Sequence, residues 1–280
     1  MLKTRLVDTF KEMVPTNNYG MVPYWIPVVG IIGVIIWKIS SLARRWIKFA
    51  IFTLVCFATS LLIPIWIFRP RDTRNPLIPS MYFRALGRLF GMEFSIEGQE
   101  NIVRNSGSVV LINHQSILDL IVLSHLWPAL PKCTVISKKE MLYYQPIGLS
   151  FWLCGVIFIN RTKPSEAQST VNKTGEIIRK RKARVLMFPE GTRNSSSKLL
   201  PFKKGAFHLA VASQCPIQPI AVSRFTFLEN NKFERGKIKI RILPAIPTEG
   251  CTTGDVTRLS EETYKILSEH VDQISNPTNS

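Results

Sequence analysis

The run Asn113, His114, Gln115, Ser116, Ile117, Leu118, Asp119 sets an imidazole and a carboxylate five residues apart, directly after the apolar stretch 109–112. Histidine changes charge near neutral pH, and a carboxylate beside it fixes its tautomer and stabilises the imidazolium. Such a pair can take a proton from a substrate hydroxyl. The chain has only four histidines, which makes this one conspicuous. On a continuous helix the two residues would sit roughly 140° apart around the axis, so they meet only if His114 precedes the helix. The spacing therefore predicts a strand over 109–112, a turn over 113–115 and a helix opening at Ser116, a residue suited to the N-cap. Taken alone, it equally fits a histidine packed at a strand end and an aspartate that suits a helix's first turn.

Three further segments carry candidate chemistry. Gly155, Val156, Ile157, Phe158, Ile159, Asn160, Arg161 reads as an apolar strand ending in an arginine, whose planar fork suits a phosphate. Phe188, Pro189, Glu190, Gly191, Thr192, Arg193 follows another apolar strand. A turn there presents Glu190 and Arg193 at the same sheet edge, Arg193 toward phosphate oxygens and Glu190 toward a substrate hydroxyl or toward Arg193 itself. In Cys215, Pro216, Ile217, Gln218, Pro219, Ile220 the prolines argue against a regular central strand and for an edge or a rigid groove wall. Lys203 and Lys204 precede Gly205 and a predicted helix start, where free amides and both ammonium groups would favour an anion. Each segment by itself also has a plain reading, as a surface arginine, a salt-bridged turn or solvated lysines.

Lys and Arg number 36 against 19 Asp and Glu, a net charge of +17, which points to an anionic partner: phosphate groups, nucleic acid or an acidic membrane face. With 46% hydrophobic residues and positive mean hydropathy, the composition favours a membrane protein over a nucleic-acid binder, and no zinc-finger or RNA-binding signature appears. The five cysteines, Cys56, Cys133, Cys154, Cys215 and Cys251, are odd in number and irregularly spaced, with no pattern for a metal site. They read as reduced core or membrane residues. Asn172 and Asn194 begin N-x-S/T triplets, which matter only on a lumenal face; the cytosolic side is expected.

Two apolar segments, 22–37 and 47–68, are predicted to enter a membrane. The first is short and interrupted by Pro23, Pro27, Gly30 and Gly33; the second is flanked by Trp46, Trp66, Arg69 and Arg71. If both span, the basic residues after Phe68 place the rest of the chain in the cytosol, whereas Arg44, Arg45 and Lys48 in the connection argue the other way. A re-entrant first segment would remove that conflict. Beyond Pro79, short apolar runs alternate with helical stretches, the mark of an α/β domain. Helices are predicted over 81–90, 116–127, 164–181 and 260–274, and strands over 94–97, 109–112, 133–136, 156–159, 184–188, 217–222 and 237–242. The expected division is an anchor over 1–78 and a catalytic domain over 79–280.

Together, the blocks NHQSILD (113–119), GVIFINR (155–161), FPEGTR (188–193) and CPIQPIA (215–221) resemble, in order and spacing, the four signature blocks of the glycerolipid acyltransferases. The stretch PFKKGAFHLA (201–210) and the double apolar N-terminal segment are most similar to the eukaryotic 1-acylglycerol-3-phosphate acyltransferases. The resemblance covers roughly residues 80–250 and implies an α/β domain, a mixed sheet flanked by helices, behind a membrane-embedded helical hairpin. It also implies acyl transfer from acyl-CoA to the 2-hydroxyl of lysophosphatidic acid, at the endoplasmic reticulum membrane. By the same resemblance, His114 is the general base held by Asp119. Arg161, Glu190, Gly191, Thr192 and Arg193, with Lys203 and Lys204, serve the glycerol phosphate, and Pro216 and Pro219 line a pocket. A covalent acyl-enzyme on Ser116 or Cys215 is the rival mechanism; Ser116 is better explained as a cap, and Cys215 has no charged neighbour in sequence. No cofactor is implied beyond acyl-CoA as co-substrate, and a magnesium requirement stays open, as do other acceptors and a non-catalytic lipid-binding role.

Overall fold

The computed structural model describes residues 25–160 and 164–276, so the predicted phosphate ligand Arg161 and the start of the first apolar segment lie outside the described residues. Seven strands form one sheet in the order β1-β7-β6-β2-β5-β3-β4: β1 (Met92–Glu97), β2 (Ser108–Ile112), β3 (Cys133–Lys138), β4 (Ile157–Ile159), β5 (Arg184–Met187), β6 (Ile217–Val222) and β7 (Gly236–Ile242). Strands β2 to β6 run parallel, β7 is antiparallel to β6, and β1 is parallel to β7, which makes the sheet mixed. All seven predicted strands are present.

The central strands are apolar without alternation because helices cover both faces. In β2 all five residues are buried: Val110 and Ile112 enter one core, Val109 and Leu111 the other. The first core receives α2 (Ser41–Ser60) through Phe52, α4 (Leu77–Leu89) through Phe83 and Leu86, and α5 (Asp119–Leu126) through Ile121, Val122 and Leu126. The helix α1 (Trp25–Ile39) precedes α2, and the single turn α3 (Ile63–Trp66) packs with α6 (Ile147–Leu153), Trp66 against Leu153. The second core is closed by α7 (Pro164–Arg181), α8 (Gly205–Ser213) and α9 (Val256–Ser275), through Ile178, Phe207, Leu209 and Leu267 among others.

This arrangement creates a topological switch. The chain leaves β2 into α5 on one face of the sheet and leaves the adjacent β5 toward α8 on the other, so a crevice opens beyond the carboxyl ends of these two strands. His114 is the second residue after β2 and Glu190 the third after β5. Sequence order alone thus delivers both to one edge.

The membrane-directed segment is fastened to the domain. Ser41–Trp66 is long and apolar enough to cross a bilayer, yet Phe52 and Trp66 on its inner side are buried in the domain. Arg44 pairs with Glu234 at 3.2 Å, Arg45 donates to the Leu228 carbonyl at 2.9 Å, and Lys48 donates to the Phe233 carbonyl at 2.8 Å. The ammonium of Lys48 also lies 4.6 Å from the centre of the Phe233 ring. The three basic residues that conflict with a simple hairpin are therefore occupied by the α/β domain.

Pro219 departs from expectation. It lies inside β6, an interior strand, where a proline lacks the ladder's N–H. Its carbonyl accepts from Leu243 on the β7 side, just where regular pairing with β7 has ended at Ile242, so the missing donor falls in a gap of that ladder. The Gln218 amide fills the gap by donating to the Leu243 carbonyl and accepting from Val103 N–H.

Candidate active site

His114 stands outside the helix and Asp119 is its first residue, so the five-residue separation closes as the spacing argument requires. The His114 Nδ1 lies 2.5 Å from Asp119 Oδ2. The same oxygen accepts from the amides of Gln115 at 2.9 Å and Ser116 at 3.2 Å, which makes one carboxylate both the anchor of the imidazole and the cap of the turn ahead of α5. The regular helix begins three residues later than predicted because Ser116 to Leu118 form this turn; the Ser116 hydroxyl accepts from Leu118 N–H. The His114 ring stacks on Phe188, centroids 3.9 Å apart and planes 21° from parallel. With Nδ1 held by Asp119, Nε2 meets no hydrogen-bond partner among the described residues and is the atom left for a substrate.

The main chain of His114 is fixed as firmly as its ring. Its N–H donates to Glu190 Oε1 at 2.8 Å and its carbonyl accepts from Asn194 N–H at 2.9 Å. The flanking side chains turn the opposite way, as alternate residues of an extended segment must. Asn113 exchanges two bonds with the backbone of Val222, at 3.0 and 2.9 Å, and Gln115 bonds the Ser223 carbonyl and Phe225 N–H. Sequence reasoning missed Asn113, Gln115, Phe188 and Asn194. The signal was present for the first two: amides at positions n and n+2 beyond an apolar strand extend its pairing to the neighbouring strand.

The loop after β5 brings some predicted residues to the site and removes others. Gly191 has φ +73, which favours glycine in the turn, and a Cβ there would come within 2.8 Å of the end of the Lys203 side chain and displace it. Thr192, Arg193 and Lys203 are exposed on this lip, and Arg193 adjoins Asn194, whose amide is bonded to His114. Lys204 instead points its ammonium to the Thr257 hydroxyl at 2.8 Å, at the start of α9. Glu190 is only 2% exposed, and both its oxygens accept from the protein itself. The predicted ligand for the glycerol phosphate is thus a carboxylate whose two oxygens are already bonded within the chain.

Pro216 and Pro219, predicted to line a pocket, lie back along the sheet from the histidine. The Pro216 carbonyl accepts from Val109 N–H at the start of β2, five residues before His114, which is about 16 Å along a strand. Pro219 is in register with Leu111, about 10 Å short of the histidine. Both build the sheet rather than the crevice.

The cysteines are poor nucleophile candidates. Burial pushes the Cys133 and Cys154 thiols up to about 12 and raises that of Cys215, so each stays protonated near neutral pH. Cys215 also lies at the start of β6, at the edge away from His114.

A sheet whose switch point carries a histidine–aspartate pair beside a lip of exposed cations is a site equipped for general-base chemistry next to an anionic group. The sequence profile of the family described as Acyltransferase matches residues 93–223. The chain is 36% identical over 230 residues to human 1-acyl-sn-glycerol-3-phosphate acyltransferase alpha, covering 81% of each chain. It is 35% identical to the human beta protein, over 82% of this chain and 84% of that one. The Saccharomyces cerevisiae 1-acyl-sn-glycerol-3-phosphate acyltransferase is 38% identical over 65% of this chain and 60% of its own. The crystal structure of the acyltransferase PlsC from Thermotoga maritima shares the fold, with a TM-score of 0.63 at 19% identity, over 84% of this chain and 99% of that one. The chain belongs to this acyltransferase family.

Proposed function

We propose that this protein transfers a fatty acyl group from acyl-CoA to the 2-hydroxyl of 1-acyl-sn-glycerol-3-phosphate, giving phosphatidic acid for phospholipid and triacylglycerol synthesis. The observation that carries the reading is His114, whose ring is held at Nδ1 by Asp119 with no partner at Nε2 among the described residues, and whose carbonyl is bonded to Asn194 in the loop that carries the exposed Arg193. His114 Nε2 takes the proton of the acceptor hydroxyl as its oxygen attacks the thioester carbonyl. The carbon–sulfur bond then breaks, and the imidazolium returns the proton to the CoA thiolate. Asp119 stays ionised and neutralises the imidazolium between the two transfers. Such a base contributes about 10²- to 10⁴-fold, and juxtaposition of two bound substrates supplies much of the remainder. A phosphomonoester suits exposed Arg193 and Lys203, which favours lysophosphatidic acid over a phosphodiester lysophospholipid, and the exposed apolar face of Ser41–Trp66 favours it over water-soluble glycerol-3-phosphate.

In this reading residues 79–280 carry the chemistry and residues 1–78 the lipid contact, at the cytosolic face of the endoplasmic reticulum. The outward side of Ser41–Trp66 is apolar, with Leu54, Phe57, Leu61 and Ile65 exposed, and a bilayer is the solvent that such a face fits.

The test is a panel on the membrane-embedded protein: lysophosphatidic acid, glycerol-3-phosphate and a lysophospholipid as acceptors, and acyl-CoA or a phospholipid as donor, with His114→Ala as control. Turnover of lysophosphatidic acid with acyl-CoA, lost in the variant, is expected. An inert lysophosphatidic acid, or full activity in the variant, would remove the proposal.

A further inference from the structure

We infer that Glu190 is a positioning residue for the base, acting through the His114 peptide and the loop beyond β5. The inference deepens the proposed function and rests on His114 being the base.

Glu190 is a buried carboxylate in a crevice where its neighbours Thr192 and Arg193 are exposed. Its Oε1 accepts from His114 N–H at 2.8 Å; its Oε2 accepts from Leu200 N–H at 2.9 Å and from the Asn194 side-chain amide at 3.2 Å. Asn194 closes the circle, since its own N–H donates to the His114 carbonyl at 2.9 Å. The carboxylate is thus a hub. One oxygen fixes the peptide that aims the imidazole, and the other fixes both ends of the segment 194–200, which follows Arg193 and leads to Lys203. A substrate contact needs an acceptor facing the crevice, whereas here both oxygens are turned inward onto three N–H donors. Hydrogen bonds to an ionised group are the stronger kind, and inside the protein they hold geometry tightly.

Two consequences separate this role from substrate binding. Loosening the hub tilts the His114 ring relative to Asp119 and the acceptor hydroxyl, a fault felt in the chemical step and not in ground-state affinity. It also uncouples the cationic loop from the base, although the loop keeps its charges.

The experiment measures kcat and KM of the full membrane-embedded chain with lysophosphatidic acid and acyl-CoA, for Glu190→Gln, Glu190→Leu, Lys203→Met and His114→Ala. Glutamine keeps an acceptor for one of the two sides of the hub, and leucine keeps none. The expected result is a kcat lowered about 10²-fold in Glu190→Gln and further in Glu190→Leu. Both KM values stay within about twofold in Glu190→Gln, while Lys203→Met raises the acceptor KM instead. A raised acceptor KM with retained kcat in Glu190→Gln would make Glu190 a substrate ligand and overturn the inference. So would a loss that follows the folded fraction, read by tryptophan fluorescence, and recovers on cooling. Should the leucine variant not fold, the glutamine variant decides alone. Full activity in His114→Ala would bring down the base itself, whereas an inactive His114→Ala beside an unimpaired Glu190→Gln would bring down only the hub.

Discussion

Replacing Asp119 by asparagine removes one charge and almost no volume, and the local geometry makes its effect calculable. Asp119 Oδ2 receives His114 Nδ1 at 2.5 Å and two backbone amides, and the pair is largely buried, at 19% and 7% side-chain exposure. Asparagine can present its carbonyl oxygen to the Gln115 and Ser116 amides, so the turn before α5 keeps its cap. What it cannot supply is the countercharge for an imidazolium. Two unit charges about 4 Å apart attract by about 4 kcal/mol at the effective dielectric of a protein site. Lost from the transition state, this is about a 10³-fold fall in rate. The fall should appear equally in kcat and kcat/KM, because the charge exists only after proton transfer. The assay is the initial rate of acyl transfer in vesicles, paired with a thermal melt. A folded Asp119→Asn protein that retains more than about a tenth of the rate would refute the assignment of Asp119 as the partner of an imidazolium.

Phe188→Leu removes the ring stacked on His114, a contact of about 0.5–1.5 kcal/mol, so the rate should fall by about 2- to 12-fold, seen in the same assay. Gly191→Ala meets a positive φ and the Lys203 side chain together; the expected outcome is a loss of about 1–2 kcal/mol in the melt with a raised acceptor KM. Burial, with Arg84 and Arg88 nearby, holds His125 below its ordinary value of 6.5, while its Nδ1 donates to the Ile121 carbonyl. The fold therefore favours the neutral ring. Its stabilisation is complete above pH 6.5 and declines as pH falls toward the depressed value, so the melting temperature should drop over that window and drop less in His125→Gln.

What sequence could and could not deliver follows from the range of each interaction. The strands were readable because β2, β5 and β6 are buried on both faces and so are mainly apolar, broken only by Ser108, Arg184 and Gln218 with Pro219. The His114–Asp119 pairing was readable because both partners lie within one turn of chain. The burial of Glu190 was not readable because its partner at His114 is 76 positions away and its type, a carboxylate in a turn, is equally suited to water. The amides of Asn113 and Gln115 bond residues more than 100 positions distant, which only the strand order reveals. Pro219 was placed at an edge by a sound rule about ladders; the rule holds locally, since the strand next to it stops at Ile242. Arg44, Arg45 and Lys48 were counted as topology signals, yet their charges are spent on Glu234 and on carbonyls of the segment 228–233.

That last attachment has a kinetic meaning. The apolar segment Ser41–Trp66 is bound to the domain at its beginning by Arg44 and Lys48 and at its end by Trp66, so the outward row of Leu54, Phe57, Leu61 and Ile65 works as a keel. With the bilayer contact proposed above, a keel sets draught: the height of the catalytic edge above the lipid becomes a constant of the molecule and not a variable of its motion. Catalysis then becomes a two-dimensional encounter, in which the crevice sweeps a plane and the acceptor's abundance is counted as a fraction of the surface rather than as a molarity in the surrounding water.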